Sequence, residues 1–156
     1  MNFEHLIQIN DPHNPLVETL TRAQLWAGLL HRVEDATPFL PGLERCTIVE
    51  RHPDHLLRDL DFGAAVIRDR VTLAHEHWVR FEIEANAQHA GGSLTITIEE
   101  PEAGTLFLRF AYATGFAANP NSEDRAYVDY VKSAYQQSDL DCVRIIRSLT
   151  AQGSLQ

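Results

Sequence analysis

Cysteine is scarce, with Cys46 and Cys142 far apart and neither in a CxxC pair. That usage excludes a disulfide-built scaffold and a thiolate zinc cage, and it predicts free thiols in a reducing compartment. Lysine is scarcer still: Lys132 stands alone, and the arginines are scattered. The chain has 13 basic against 22 acidic residues and a formal charge of −9. A surface of that sign repels phosphate, so nucleic acid and anionic membrane are excluded as partners. No apolar run reaches the ~20 residues of a membrane span, and no membrane insertion is expected. The opening MNFEHLIQIN carries charge too early for a signal peptide, which predicts a cytoplasmic protein. Internal repeats, low-complexity tracts and charged linkers are also lacking.

What remains is 156 residues that are 44% apolar, enough for a single domain over 1–156 with one core. Phe3 to Asn10 reads as a strand, stopped by Asp11-Pro12. Thr21-Arg22-Ala23-Gln24 has the form of a capping box. Leu25, Trp26, Leu29, Leu30 and Val33 follow at helical spacing, with Trp26 as core anchor. Pro38 and Pro41 bracket a second short helix or turn at Phe39-Leu40.

Six further runs alternate like strands: 44–51, 55–62, 65–75, 77–85, 93–99 and 105–114. The pattern is sharpest where Val79, Phe81 and Ile83 oppose Arg80, Glu82 and Glu84. Short turns between them predict an antiparallel meander. From Ser122 to about Thr150 a helix is expected, with Ser122 as N-cap and Glu123-Asp124 in the first turn. Its apolar stripe reads Tyr127, Val131, Ala134, Cys142, Ile145 and Leu149. Arg144 and Arg147 suit its C-terminal end. At about 28 residues it spans roughly 42 Å, enough to cross the sheet. Small or polar members, Ala134 and Ser138, leave room for a gap between helix and sheet.

The order of elements resembles the START and birch-pollen-allergen-like superfamily, SRPBCC, over nearly the whole chain. Ile9-Asn10-Asp11-Pro12 looks like its first strand and proline turn. Leu20 to Leu29, Pro38-Phe39-Leu40-Pro41 and Ser133-Ala134-Tyr135 are similar to its AtaL-like branch. The resemblance implies an α+β helix-grip fold: about seven curved antiparallel strands around a long C-terminal helix, with two short helices after strand 1. It further implies a small apolar partner, lipid- or polyketide-like, held between sheet and helix. Some members of the superfamily are cyclases or hydrolases, so an enzyme and a non-catalytic binder both stay open, as does a homodimer. No cofactor is implied and no catalytic residue is carried over.

The expected pocket walls come from the strands (Asp69, Val71, Leu73, Phe81, Ile96, Leu108, Phe110, Tyr112) and from the last helix (Tyr127, Tyr130, Val131, Ala134, Tyr135, Ser138). Asp69 shares a face with Ile67, Val71 and Leu73. It is read either as a carboxylate in an apolar pocket, with a raised pKa or a buried partner, or as turned outward to Arg68 or Arg109. The tyrosines offer apolar area plus a hydroxyl. His75-Glu76-His77 with Glu82 has a cupin-like metal spacing, but Glu76 falls at a turn that would splay the two rings. No metal site is therefore expected. His52 and His55 flank a turn and read as surface residues. His5 would face the interior, satisfied by a carbonyl or acting as an acid–base group.

Overall fold

The computed structural model describes residues 2–86, 91–114 and 122–154, with the side chains of 122–124 set aside. The elements are β1 (Asn2–Gln8), α1 (Arg22–Glu34), β2 (Arg45–Arg51), β3 (Leu56–Asp61), β4 (Val66–Ala74), β5 (Trp78–Ile83), β6 (Gly92–Glu102), β7 (Thr105–Thr114) and α2 (Ser122–Ala151). They form a helix grip: a curved seven-stranded antiparallel sheet closed over by the long α2. The sheet order is β1-β7-β6-β5-β4-β3-β2, so β2 to β7 are a meander and β1 returns to pair with β7. The expected cap at Ser122 lies outside the described side chains.

Local chemistry explains the joints. Thr21 Oγ1 accepts from the Gln24 amide at 3.0 Å, and Gln24 Oε1 accepts from the Thr21 amide at 2.9 Å. That is a complete capping box, and it starts α1. Buried Asn10 ties the β1–α1 connection to the β6–β7 turn. Its Nδ2 donates to the carbonyls of Leu20 (2.8 Å) and Gly104 (3.2 Å), and its Oδ1 accepts from the Leu20 amide at 2.9 Å. Arg147 does more than sit near a helix end. Its guanidinium donates to the carbonyls of Ile9 and Glu18, pinning α2 to the same connection.

The second short helix is absent. Residues 37–42 are turns, closed by Phe39 N to Ala36 O (2.9 Å) and Leu43 N to Leu40 O (3.1 Å). Proline restricts the residue before it to extended backbone, and neither Pro38 nor Pro41 has an N–H to donate. With two prolines three residues apart, no second helical turn can form.

The phase of the α2 stripe also differs from the expectation. Val128, Asp139, Cys142, Val143 and Ile146 face inward, while Ala134 is exposed and Tyr127 half-exposed. The inward stripe runs through a carboxylate, which a search for apolar spacing passes over.

The core packs Ile7, Val79, Ile96, Leu108 and Phe110 of the sheet against Leu25, Trp26 and Leu29 of α1 and Cys142 and Ile146 of α2. Burial along α2 is uneven: its C-terminal half is packed, while most of residues 125–137 is exposed or partly so. The helix therefore seals one end of the sheet and stands off from the other. The two helices cross closely at Gly28, where a Cβ would fall 2.5 Å from Cγ2 of Ile146. Overpacking there costs about 1–3 kcal/mol, against about 1 kcal/mol gained when alanine replaces glycine in a helix. Gly28→Ala is expected to lower stability in urea unfolding, and to cost much less in an Ile146→Ala background. Equal costs in the two backgrounds would sink the steric account.

Candidate functional site

Where α2 stands off, it leaves a cavity of about 440 Å³ against the sheet. Phe81, Ile83 and Leu94 supply apolar wall, and Val131 and Tyr135 of α2 face them. Tyr112 and Tyr135 stack at 4.0 Å with ring planes 2° apart, making a flat aromatic surface. Gly92 belongs to this wall because its backbone, at φ +150°, runs so close to β7 that a Cβ would lie 2.8 Å from the Ala113 carbonyl oxygen.

Of the expected wall residues, Asp69, Phe81, Tyr112, Tyr127, Val131, Tyr135 and Ser138 line this cavity. Val71, Ile96, Leu108 and Phe110 do not. They lie deeper, in the packed core under the helices. Leu73 is exposed toward the end of β4, and Tyr130 is 71% exposed on the outer face of α2. Ala134 borders a second hollow of about 470 Å³ beside the 37–43 turns instead.

Asp69 faces inward and has a buried partner, Arg58 of β3. Arg58 Nε donates to Oδ1 at 2.9 Å and Nη2 to Oδ2 at 2.6 Å, a bidentate pair in which both residues are 2% exposed. Arg58 Nη1 donates to the carbonyls of Arg32 (2.8 Å) and Val33 (3.0 Å), which α1 leaves open near its C-terminus. The guanidinium also lies 5.0 Å from the Phe81 ring centroid. The outward alternative for Asp69 is thereby overturned: Arg68 pairs with Asp59, and Arg109 with Glu99 and Glu4.

A second buried polar cluster lies behind the tyrosine wall. The Tyr112 hydroxyl donates to Oδ1 of Asp139, and His5 Nδ1 lies 3.3 Å from Oδ2. Asp139 is fully buried. Burial pushes its carboxyl above the ordinary range, while the Tyr112 and His5 contacts and the Arg32 charge pull the other way. Burial and the neighbouring carboxylate push the Tyr112 phenol far up, so it stays a neutral hydroxyl. Burial also pushes up the Cys142 thiol. Both cysteines are free.

Arg32, Arg58 and Asp139 were missed by pattern reading, although the signals are present. Arg58 shares the inward face of β3 with Leu56 and Leu60. Arg32 lies seven residues after Leu25, and Asp139 four after Tyr135 and three before Cys142. The histidine-rich motifs do other work. His75, Glu76 and His77 make the β4–β5 turn, with Glu76 at φ +57° and an exposed His75 edge-on to Trp26. His52 and His55 stack at 4.5 Å across their own turn. Trp26 is a buried core residue whose Nε1 has no partner. Among the described residues, no group of three or more His, Cys, Asp or Glu is placed to share a metal ion. No described helix is long and apolar enough to cross a membrane.

Two measurements check this electrostatic reading. Asp69→Leu strands a buried guanidinium and is expected to cost about 3–5 kcal/mol, part of which the Arg58→Met/Asp69→Leu double variant recovers. A double variant as unstable as the sum of the singles would contradict it. For Asp139 the sign follows from its raised folded-state pKa. Below the ordinary carboxyl pKa, near 3.9, the group is protonated folded or unfolded. Above that value the unfolded chain releases the proton first, so stability falls as pH rises through the window between the two pKa values. Asp139→Asn lacks this loss and should gain on wild type as pH rises above the ordinary carboxyl pKa of about 3.9 in paired urea titrations. A difference that is constant with pH would refute it.

The fold has solved counterparts, all at low identity. The di-domain aromatase/cyclase StfQ of the steffimycin pathway superposes with a TM-score of 0.71 at 11% identity. The match covers 98% of this chain and 51% of StfQ, so the chain spans about half the length of that protein. The Zhui aromatase/cyclase from Streptomyces sp. R1128 gives 0.64 at 16% identity, covering 96% of this chain and 95% of Zhui. The Aha1 dimer from Colwellia psychrerythraea gives 0.60 at 12%, covering 90% and 91%. At such identities these likenesses show the fold alone. No curated protein matches the chain in sequence. The family model described as acetylaranotin biosynthesis cluster protein L, AtaL, matches residues 7–153. With nearly the whole chain matched, the protein belongs to the AtaL family, and it has the helix-grip fold.

Proposed function

We propose that this protein binds a small, mostly apolar molecule between the sheet and the N-terminal half of α2. The observation that carries the reading is the 440 Å³ cavity itself. The hollow opens to solvent on one side and interrupts the close packing of helix on sheet, so it offers apolar wall for a ligand to cover. Ligand sites span roughly 300–1,000 Å³, mostly apolar with a few polar groups, and this cavity has that size and composition. A ligand buried there gains about 25 cal/mol per Å² of apolar area removed from water. That StfQ and Zhui are aromatase/cyclases makes a polyketide-like molecule a candidate beside a lipid-like one.

A second reading, an enzyme of the cyclase type, is favoured by one observation: Tyr112 stands on the cavity wall with Asp139 and His5 behind it. In that reading the Tyr112 oxygen takes a proton from the ligand as its own proton passes to Asp139, which His5 holds in place. Cyclisation of a linear poly-β-ketone thioester, faster with wild type than with Tyr112→Phe at equal binding, would support catalysis. Identical product rates with and without protein would remove it.

Binding is tested with the neutral fluorescent probe N-phenyl-1-naphthylamine and a cavity-filling variant. Val131→Trp is expected to fold and to weaken probe binding by about tenfold or more, because the indole occupies the ligand's space. Unchanged probe affinity in a folded Val131→Trp protein would place the probe elsewhere and count against the reading.

A further inference from the structure

Among the described residues, the polar side chains at the buried end of the cavity are largely bonded to one another. Asp69 spends both oxygens on Arg58. Arg58 spends its remaining nitrogen on two carbonyls of α1. Asp139 accepts from Tyr112 and is engaged by His5. Arg32, in the last turn of α1, also lines the cavity and is only 6% exposed. Its guanidinium carbon lies 5.8 Å from the Phe39 ring centroid and 5.4 Å from that of Phe81. Its Nη1 is buried and has no hydrogen-bond partner among the described residues, while the guanidinium also engages the Cys142 thiol and feels the Asp139 charge.

An unpaired buried guanidinium is costly to keep. A buried donor without an acceptor costs about 1–3 kcal/mol, more when charged. A lysine could escape by losing its proton; a guanidinium cannot. Asp69 is bonded to Arg58, and the oxygens of Asp139 are engaged by Tyr112 and His5, so Asp139 acts on Arg32 through its charge and not through a bond to Nη1. The wall also carries the flat rings of Phe81, Tyr112 and Tyr135, beside aliphatic side chains such as Ile83 and Leu94.

We propose that Arg32 is the anchor for an anionic oxygen of the ligand, and that the ligand is an aromatic or conjugated acid, held by its carboxylate, enolate or phenolate against the buried guanidinium. The inference rests on the cavity reading and narrows it: a neutral lipid leaves the Arg32 nitrogen as unsatisfied as the empty cavity does. The fork geometry of the side chain suits a carboxylate, and charge-assisted bonds are the stronger class.

The test compares 2-naphthoate with 2-naphthalenemethanol, which share a ring system and differ in the charge of one group. By calorimetry at neutral pH, wild type should bind the acid about tenfold or more tightly than the alcohol. Arg32→Met should bring the two affinities together, and Arg32→Lys should keep part of the preference. Should Arg32→Met fail to fold, nitrogen-15 spectra of wild type serve instead: the acid, and not the alcohol, should shift and slow the exchange of the Arg32 guanidinium signals. Equal wild-type affinities, a preference that survives in Arg32→Met, or guanidinium signals indifferent to the acid would each overturn the anchor. Alcohol binding without an acid preference would leave the apolar-cavity reading intact and remove only this inference. Failure of both compounds to bind would count against both.

Discussion

The buried Arg58–Asp69 pair holds the architecture of the site together. It joins adjacent strands β3 and β4 through a bidentate bond, and through Arg58 Nη1 it fastens the C-terminal end of α1 to the sheet. Taking two charges out of water is costly, and such a pair is weak evidence of net stability. Its value here is positional. Two of the carbonyls that α1 leaves open find donors in a guanidinium instead of water, so the last turn of the helix is fixed over the sheet. That turn carries Arg32. The geometry of the cavity's polar end thus follows from the pair beneath it.

The cavity follows from an imbalance in how α2 is held. Its C-terminal half is gripped by the Gly28–Ile146 crossing, by the core around Cys142 and Ile146, and by Arg147 on the β1–α1 connection. Its N-terminal half has the Tyr135–Tyr112 stack, the Tyr112–Asp139 bond at its base and little else of comparable burial. A sheet that curves under a straight helix cannot meet it along 30 residues. Contact is made at one end, and space remains at the other.

The parts legible in the sequence are those set by local rules. The strand Thr105–Thr114 has the bounds its alternation predicts, and the box at Thr21 caps the helix it should. The meander follows from short turns between alternating runs. What was not legible depends on partners distant in sequence. An inward arginine at position 58 looks like an error in strand phase until Asp69 and the end of α1 are placed beside it. Asp139 breaks an apolar stripe unless Tyr112 and His5 lie opposite. Without that aspartate the stripe falls on Ala134, which the helix turns outward, and on Tyr127, which borders the cavity half-exposed. The segment at Pro38–Pro41 misled for a different reason: a familiar motif suggested a helix that two prolines forbid.

The two polar clusters also bear on the identity of the occupant. An apolar cavity that merely stored hydrocarbon would be cheapest to build with apolar residues throughout, since each buried charge carries a desolvation cost. This cavity has two arginines and an aspartate in its wall and a second aspartate behind it. Three of the four have partners within the protein that account for their burial. The fourth, Arg32, has its guanidinium carbon over the Phe39 and Phe81 rings and a buried Nη1 with no hydrogen-bond partner among the described residues. Rings on the faces of a guanidinium leave its edge as the place for a hydrogen-bond acceptor. The cavity then combines aromatic area for affinity with one directional charge, and that charge fixes which end of the ligand enters first.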